Sequence, residues 1–107
     1  MAQVKSIKGT YDILPNQTQN WQELEVQVHK TSNLYGYSEI RTPIIEIASL
    51  FNRGVGEETD IVSKEMYSWE DKNKSIISLR PELTAPVVRS YIQHNLGGQS
   101  PLQRLYY

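Results

Sequence analysis

The chain has 107 residues, a net charge of −1, 38 % hydrophobic residues and no cysteine. This length fits one small domain or part of a larger one, and the missing cysteine excludes a disulfide scaffold or a cysteine-ligated metal site. The charge balance excludes a uniformly basic nucleic-acid surface, no apolar run approaches the roughly 20 residues that span a bilayer, and Met1 to Lys8 lacks the apolar stretch of a secretory signal, so a cytoplasmic location without membrane partners is expected.

Residues 1–15 read as an irregular lead-in. Asn16, with Gln19 three residues on, suggests a capped helix start. Trp21, Leu24, Val28, Thr31 and Tyr35 then recur at helical spacing, and Gly36 supplies a stop. The spacing therefore predicts a helix over 16–35. Tyr37 to Ile45 reads as extended, with Pro43 at an edge or strand end because it cannot donate to a ladder. Residues 48–53 predict a short helical turn, broken by Gly54-Val55-Gly56. Met66 to Glu70 and Ser75 to Leu79 are strand candidates, joined by a hairpin turn at Asp71-Lys72-Asn73-Lys74.

Pro81 ends the second of these strands. Val87 with Tyr91, and Val88 with Ile92, stand four residues apart and predict a helix over 83–96, closed by Gly97-Gly98. Gln99 to Pro101 reads as a loop before a last strand, Leu102 to Tyr107. The order helix, strand, hairpin, helix, strand is an α+β pattern with an antiparallel sheet. Natural termini are usually polar and frayed, so the strand-like end in two tyrosines predicts an excision point inside a larger domain.

Most motif-like features have plain structural explanations. Gly54-Val55-Gly56 is followed by Glu57, Glu58 and Asp60, which would repel a phosphate, and it lacks the glycine pattern of a nucleotide loop. The acidic run reads as a solvated face or helix start. His29 and His94 have no partners at ligand spacing, so no metal site is expected, and no Ser/His/Asp arrangement supports nucleophilic catalysis.

The segment Ser78-Leu79-Arg80-Pro81-Glu82-Leu83-Thr84-Ala85-Pro86 is different. A strand runs into a proline, then a carboxylate and a hydroxyl two residues apart, then a helix. Strand-to-helix turns hold side chains at the rim of a sheet. Glu82 and Thr84 there fit two roles. They can cap the helix, or they can accept hydrogen bonds from an ammonium group.

At this segment the chain resembles the histidyl-tRNA synthetases, a class II aminoacyl-tRNA synthetase family, and the resemblance covers almost all of it. Lys8-Gly9-Thr10-Tyr11-Asp12-Ile13-Leu14-Pro15 is similar to the family's N-terminal peptide. Tyr35-Gly36-Tyr37-Ser38-Glu39-Ile40-Arg41-Thr42-Pro43 resembles the end of motif 1. Lys64-Glu65-Met66-Tyr67 and Arg80-Pro81-Glu82-Leu83-Thr84-Ala85 resemble the strand and histidine-contacting segments that follow. Gln103-Arg104-Leu105-Tyr106-Tyr107 resembles the opening of motif 2.

The resemblance implies a part of the class II catalytic core, residues 1–107, running from motif 1 to the start of motif 2. It implies that Glu82 and Thr84 hold the α-ammonium of L-histidine, with Leu83 beside them where many members have glycine, and that Arg80 and Pro81 shape the turn. It implies a homodimer through motif 1, here Trp21, Leu24, Tyr37 and Pro43. It also implies a full-length histidine–tRNA ligase using ATP, Mg²⁺ and tRNA(His). The motif 2 and motif 3 arginines are expected beyond Tyr107, so the 107 residues alone are expected to be inactive, with no catalytic residue and no bound cofactor of their own. The regulatory subunit of ATP phosphoribosyltransferase shares this scaffold and binds effectors instead of charging tRNA. The Lys64 to Tyr67 and Tyr11-Asp12 peptides favour the synthetase. An unrelated interaction module explains the composition but not the ordered peptides.

Overall fold

The computed structural model describes residues 2–52, 65–98 and 103–107. The Gly54-Val55-Gly56 break, the Glu57 to Asp60 run, Lys64, and the loop from Gln99 with Leu102 lie outside the described residues. The chain divides into two compact units, Met1–Gly36 and Tyr37–Tyr107.

The first unit is an extended lead-in and one helix, α1, Pro15–Leu34. It starts one residue earlier than the sequence pattern predicts, and the Asn16–Gln19 capping box does not form. Leu14 occupies the cap position with no side-chain bond, and Pro15 opens the helix. The reason is that proline arrives with a helical φ and has no N–H to satisfy, so it is pre-organised for the first position. Thr18 closes the first turn, its N–H donating to the Leu14 carbonyl at 3.0 Å. At the far end Gly36 adopts φ 75°, a left-handed conformation natural to glycine, and its N–H donates to the Asn33 carbonyl at 3.1 Å. The helix buries none of its residues.

Among its described residues the second unit holds five short strands and two helices. In chain order these are β1 (Ser38–Glu39), β2 (Ile45–Ile47), α2 (Ser49–Asn52), β3 (Ser68–Glu70), β4 (Ile76–Leu79), α3 (Thr84–Gln93) and β5 (Leu105–Tyr106). A short 3₁₀ turn, Leu96–Gly98, follows α3. Strands β2, β4 and β3 form an antiparallel sheet in that order, with Ile47 opposite Ile77 and Trp69 opposite Ile77. The expectation of an antiparallel sheet fails for the other pair: β1 and β5 run parallel, Ser38 opposite Leu105 and Glu39 opposite Tyr106. Parallel partners need a long crossover, and nearly all of the second unit separates these two strands in sequence. The extended Tyr37 to Ile45 segment is thereby split, with Pro43 in the gap between β1 and β2.

The β3–β4 hairpin turns where predicted. Lys74 N–H donates to the Asp71 carbonyl and Asp71 N–H to the Ser75 carbonyl, both at 2.8 Å. Lys74 sits at φ 62°, the left-handed position of a turn followed by a bulge. The helix predicted over 83–96 is shorter, and Gly97-Gly98 does not close it. Asn95, at φ 51°, makes the left-handed turn instead, a conformation asparagine tolerates because its short polar side chain bonds locally. Gly97 serves a different need: a Cβ there would lie 3.0 Å from the Tyr91 ring.

Alternation along the strands separates two faces of the sheet. Glu46 and Ser78 are buried on the face that α3 covers, where Pro86 is also fully buried. Ala48 and Phe51 supply the buried apolar residues beside them, Phe51 contributing roughly 2 kcal/mol. The opposite face carries Ile45, Ile47, Trp69 and Leu79, all exposed.

Candidate functional site

Strand β4 ends at Leu79, and the ladder continues one step further. Arg80 N–H donates to the Ile44 carbonyl at 2.9 Å. The Arg80 guanidinium then reaches across to the segment before β2, its Nη1 donating to the Thr42 carbonyl at 3.0 Å and to Thr42 Oγ1 at 3.4 Å. One residue thus fixes the strand end to the Thr42–Ile44 segment through both its backbone and its side chain. Pro81 follows without an N–H to give, and the chain turns into α3.

Glu82 lies just before the helix cap. Its Oε2 accepts the Thr84 N–H at 2.5 Å and its Oε1 accepts the Ala85 N–H at 2.9 Å. Both amides belong to the first turn of α3, where N–H groups have no intrahelical partner and negative charge is favoured. The capping role is therefore present. A carboxylate offers about four lone-pair sites, so two amides fix its orientation without exhausting it. Glu82 is exposed, and its remaining sites are open to a cation.

Thr84 does not cap. Its hydroxyl pairs with the Tyr107 hydroxyl at 3.1 Å, which joins the start of α3 to the end of β5. Leu83 holds the cap position at φ −107°, ψ −17°, a backbone that any L-residue adopts, so glycine is not demanded there. Arg80, Pro81, Glu82, Leu83 and Thr84 together form one rim, with two acceptor groups side by side. Of the dimer candidates, Trp21 and Leu24 lie one turn apart on α1 with exposed side chains, while Tyr37 and Pro43 flank β1 in the other unit, also exposed.

Two contacts were not anticipated from the sequence. One is Thr84 with Tyr107. The other is an ion pair in which Arg89 Nη2 meets Glu46 Oε1 at 2.9 Å, ties α3 to β2 and so steadies the rim. Its signal was Glu46 standing alone among Ile44, Ile45 and Ile47. A carboxylate inside an apolar run calls for a buried cation.

A small antiparallel sheet with flanking helices and a strand-to-helix rim fits part of a class II aminoacyl-tRNA synthetase core. The family model for histidyl-tRNA synthetase matches residues 9–107. The histidine–tRNA ligase of Syntrophotalea carbinolica is 49 % identical over 97 % of this chain. Crystalline S. aureus histidyl-tRNA synthetase superposes over 94 % of the chain with a TM-score of 0.78 at 42 % identity, which is 23 % of its own length. A Bacillus halodurans structure described as an ATP phosphoribosyltransferase regulatory subunit/histidyl-tRNA synthetase covers 94 % of the chain and 25 % of its own, with a TM-score of 0.71 at 27 % identity. The chain belongs to the histidyl-tRNA synthetase family. It spans about a quarter of the length of the curated relatives it matches, 25 % in the Syntrophotalea case.

Proposed function

We propose that this chain forms the ammonium-binding rim of the histidine pocket in a histidine–tRNA ligase. The observation that carries the proposal is the Glu82 carboxylate held by two helix amides with its outer lone pairs exposed. A carboxylate fixed before the ligand arrives loses little entropy on binding, and a charge-assisted bond to an ammonium is among the stronger hydrogen bonds. Thr84 adds a second acceptor. Arg80 and Pro81 set the turn, and Leu83 lines it.

The whole protein would join the histidine carboxylate to the ATP α-phosphate, releasing pyrophosphate, and then pass the histidyl group to the terminal ribose hydroxyl of tRNA(His). Charge grows on the α-phosphate in the first step and needs fixed cations. Mg²⁺ and ATP belong to that reaction. Among the described residues no group of three or more His, Cys, Asp or Glu is placed to hold a metal ion, and Arg80 and Arg89 are already directed at Thr42 and Glu46. On this reading the 107 residues contribute recognition of the amino acid, and ATP–pyrophosphate exchange by this chain should stay at background.

Trp21 and Leu24 support a homodimer, since α1 exposes them at 46 % and 56 % on a helix that buries nothing. No helix among the described residues is long and apolar enough to cross a membrane. The higher identity to the S. aureus synthetase than to the Bacillus halodurans protein, 42 % against 27 %, favours the ligase over a regulatory relative. The test is a titration of labelled protein with L-histidine. Saturable shifts should centre on the Glu82 to Ala85 amides and weaken about tenfold or more in Glu82→Gln. Equal affinity in the two proteins would sink the proposal.

A further inference from the structure

We infer that Tyr107 is a positioning residue for the amino-acid rim, holding Thr84 in the one rotamer that presents a lone pair to the ligand's ammonium group; this rests on the pocket reading above. A threonine side chain has three staggered χ1 positions. Thr84 is the first residue of α3, so no helical turn lies beneath it whose carbonyls could hold the hydroxyl. The contact with Tyr107 Oη at 3.1 Å supplies a partner that favours one of these positions. Whichever atom donates, Thr84 keeps at least one lone pair for a cation. If Thr84 donates, both of its lone pairs stay free, and if Tyr107 donates, one does.

Tyr107 suits this task. It follows the last residue of β5, whose partner β1 is bonded on both sides of the pair: Ser38 N–H donates to the Arg104 carbonyl at 2.8 Å and Ile40 N–H to the Tyr106 carbonyl at 2.9 Å. The ring therefore projects from a backbone that is fixed immediately before it. At 60 % exposure it contributes little to a core, and its hydroxyl ties it to Thr84. The rim is then assembled from three places in the chain: the end of β4, the start of α3 and the end of β5.

Tyr107→Phe removes one hydroxyl and keeps the ring. In the free protein, three-bond couplings to the Thr84 methyl carbon should report one rotamer in the wild type and an average over rotamers in the variant. In a histidine titration the variant should bind roughly two- to tenfold more weakly, the value of one hydrogen bond. That loss should vanish in a Thr84→Val background, whereas a Tyr107 that merely braced the strand would weaken binding equally with or without Thr84. Unchanged couplings, or a loss that persists undiminished in Thr84→Val, overturn the inference while leaving the pocket reading intact. A wild-type chain that does not bind histidine overturns the pocket reading and the ammonium half of the inference, and the couplings then decide whether Tyr107 sets the Thr84 rotamer.

Discussion

Replacing Arg89 with methionine should destabilise the second unit, because it removes a partner from a largely buried ion pair. Arg89 Nε and Nη2 converge on one oxygen of Glu46, at 3.2 and 2.9 Å. The Glu46 side chain is 7 % exposed and that of Arg89 is 27 % exposed. Removing one partner of a fully buried pair costs about 3–5 kcal/mol, because a charge is stranded away from water. Water can follow the exposed part of Arg89 and relieve some of that, so the expected loss is about 2–3 kcal/mol. Methionine keeps the aliphatic stem packed, and the lost bond from Arg89 Nη1 to Gln93 Oε1 at 2.6 Å is exposed and adds little. Glu46→Gln keeps an acceptor but leaves the Arg89 guanidinium without its counter-charge; because that side chain is 27 % exposed and water can reach it, the cost should be smaller, about 1–2 kcal/mol. Glu46→Leu combined with Arg89→Met should recover most of the stability, since an apolar pair often replaces a buried ion pair without loss. The assay is urea unfolding followed by Trp69 fluorescence in a Trp21→Phe background. With a slope of about 1–1.5 kcal/mol per molar, Arg89→Met should move the midpoint down by roughly 2 M. A shift below roughly 0.5 M, or no recovery in the double variant, would refute the argument that this pair anchors α3 and hence Thr84.

Other expectations follow from single contacts. Glu82→Ala removes the acceptor for two first-turn amides of α3 and should cost about 1–2 kcal/mol in the same urea assay, with no change showing that the caps are not needed. Lys74→Gly should stabilise by about 0.5–1 kcal/mol, because Lys74 is held at φ 62° and glycine reaches that region without a Cβ clash; a destabilised variant would contradict the turn geometry. Arg80→Met deletes the bonds to Thr42 and should speed hydrogen exchange of the residue-80 amide several-fold, a loosening of about 1 kcal/mol. Unaltered exchange would mean that the backbone ladder alone fixes the turn.

Much of the fold can be read from the sequence where one local rule dominates. Trp21 through Tyr35 marks α1 by period alone, and Asp71 to Lys74 marks the hairpin by its turn residues. The start of α1 is misread because Asn16 looks like a cap while Pro15, already shaped for the first helical position, sets the boundary. The parallel β1–β5 pair is invisible to local rules, since Ser38 and Leu105 meet only through the whole intervening fold. The site divides in the same way. Arg80 to Thr84 is contiguous and stands out as a segment. Tyr107 and Thr84 are far apart in sequence, and nothing in the local pattern of either residue announces the other. Glu82 caps the helix, and the proposed cation role does not compete with that, since a carboxylate has lone pairs beyond those two bonds.

Recognition of an ammonium group by Glu82 and Thr84 is the proposed role of this rim. The most direct measurement compares L-histidine with its des-amino analogue, 3-(imidazol-4-yl)propionate, in parallel titrations of the labelled chain. L-histidine should shift the Glu82, Leu83, Thr84 and Ala85 amides saturably while the analogue leaves them in place. Equal shifts from both compounds, or shifts from neither, would contradict it.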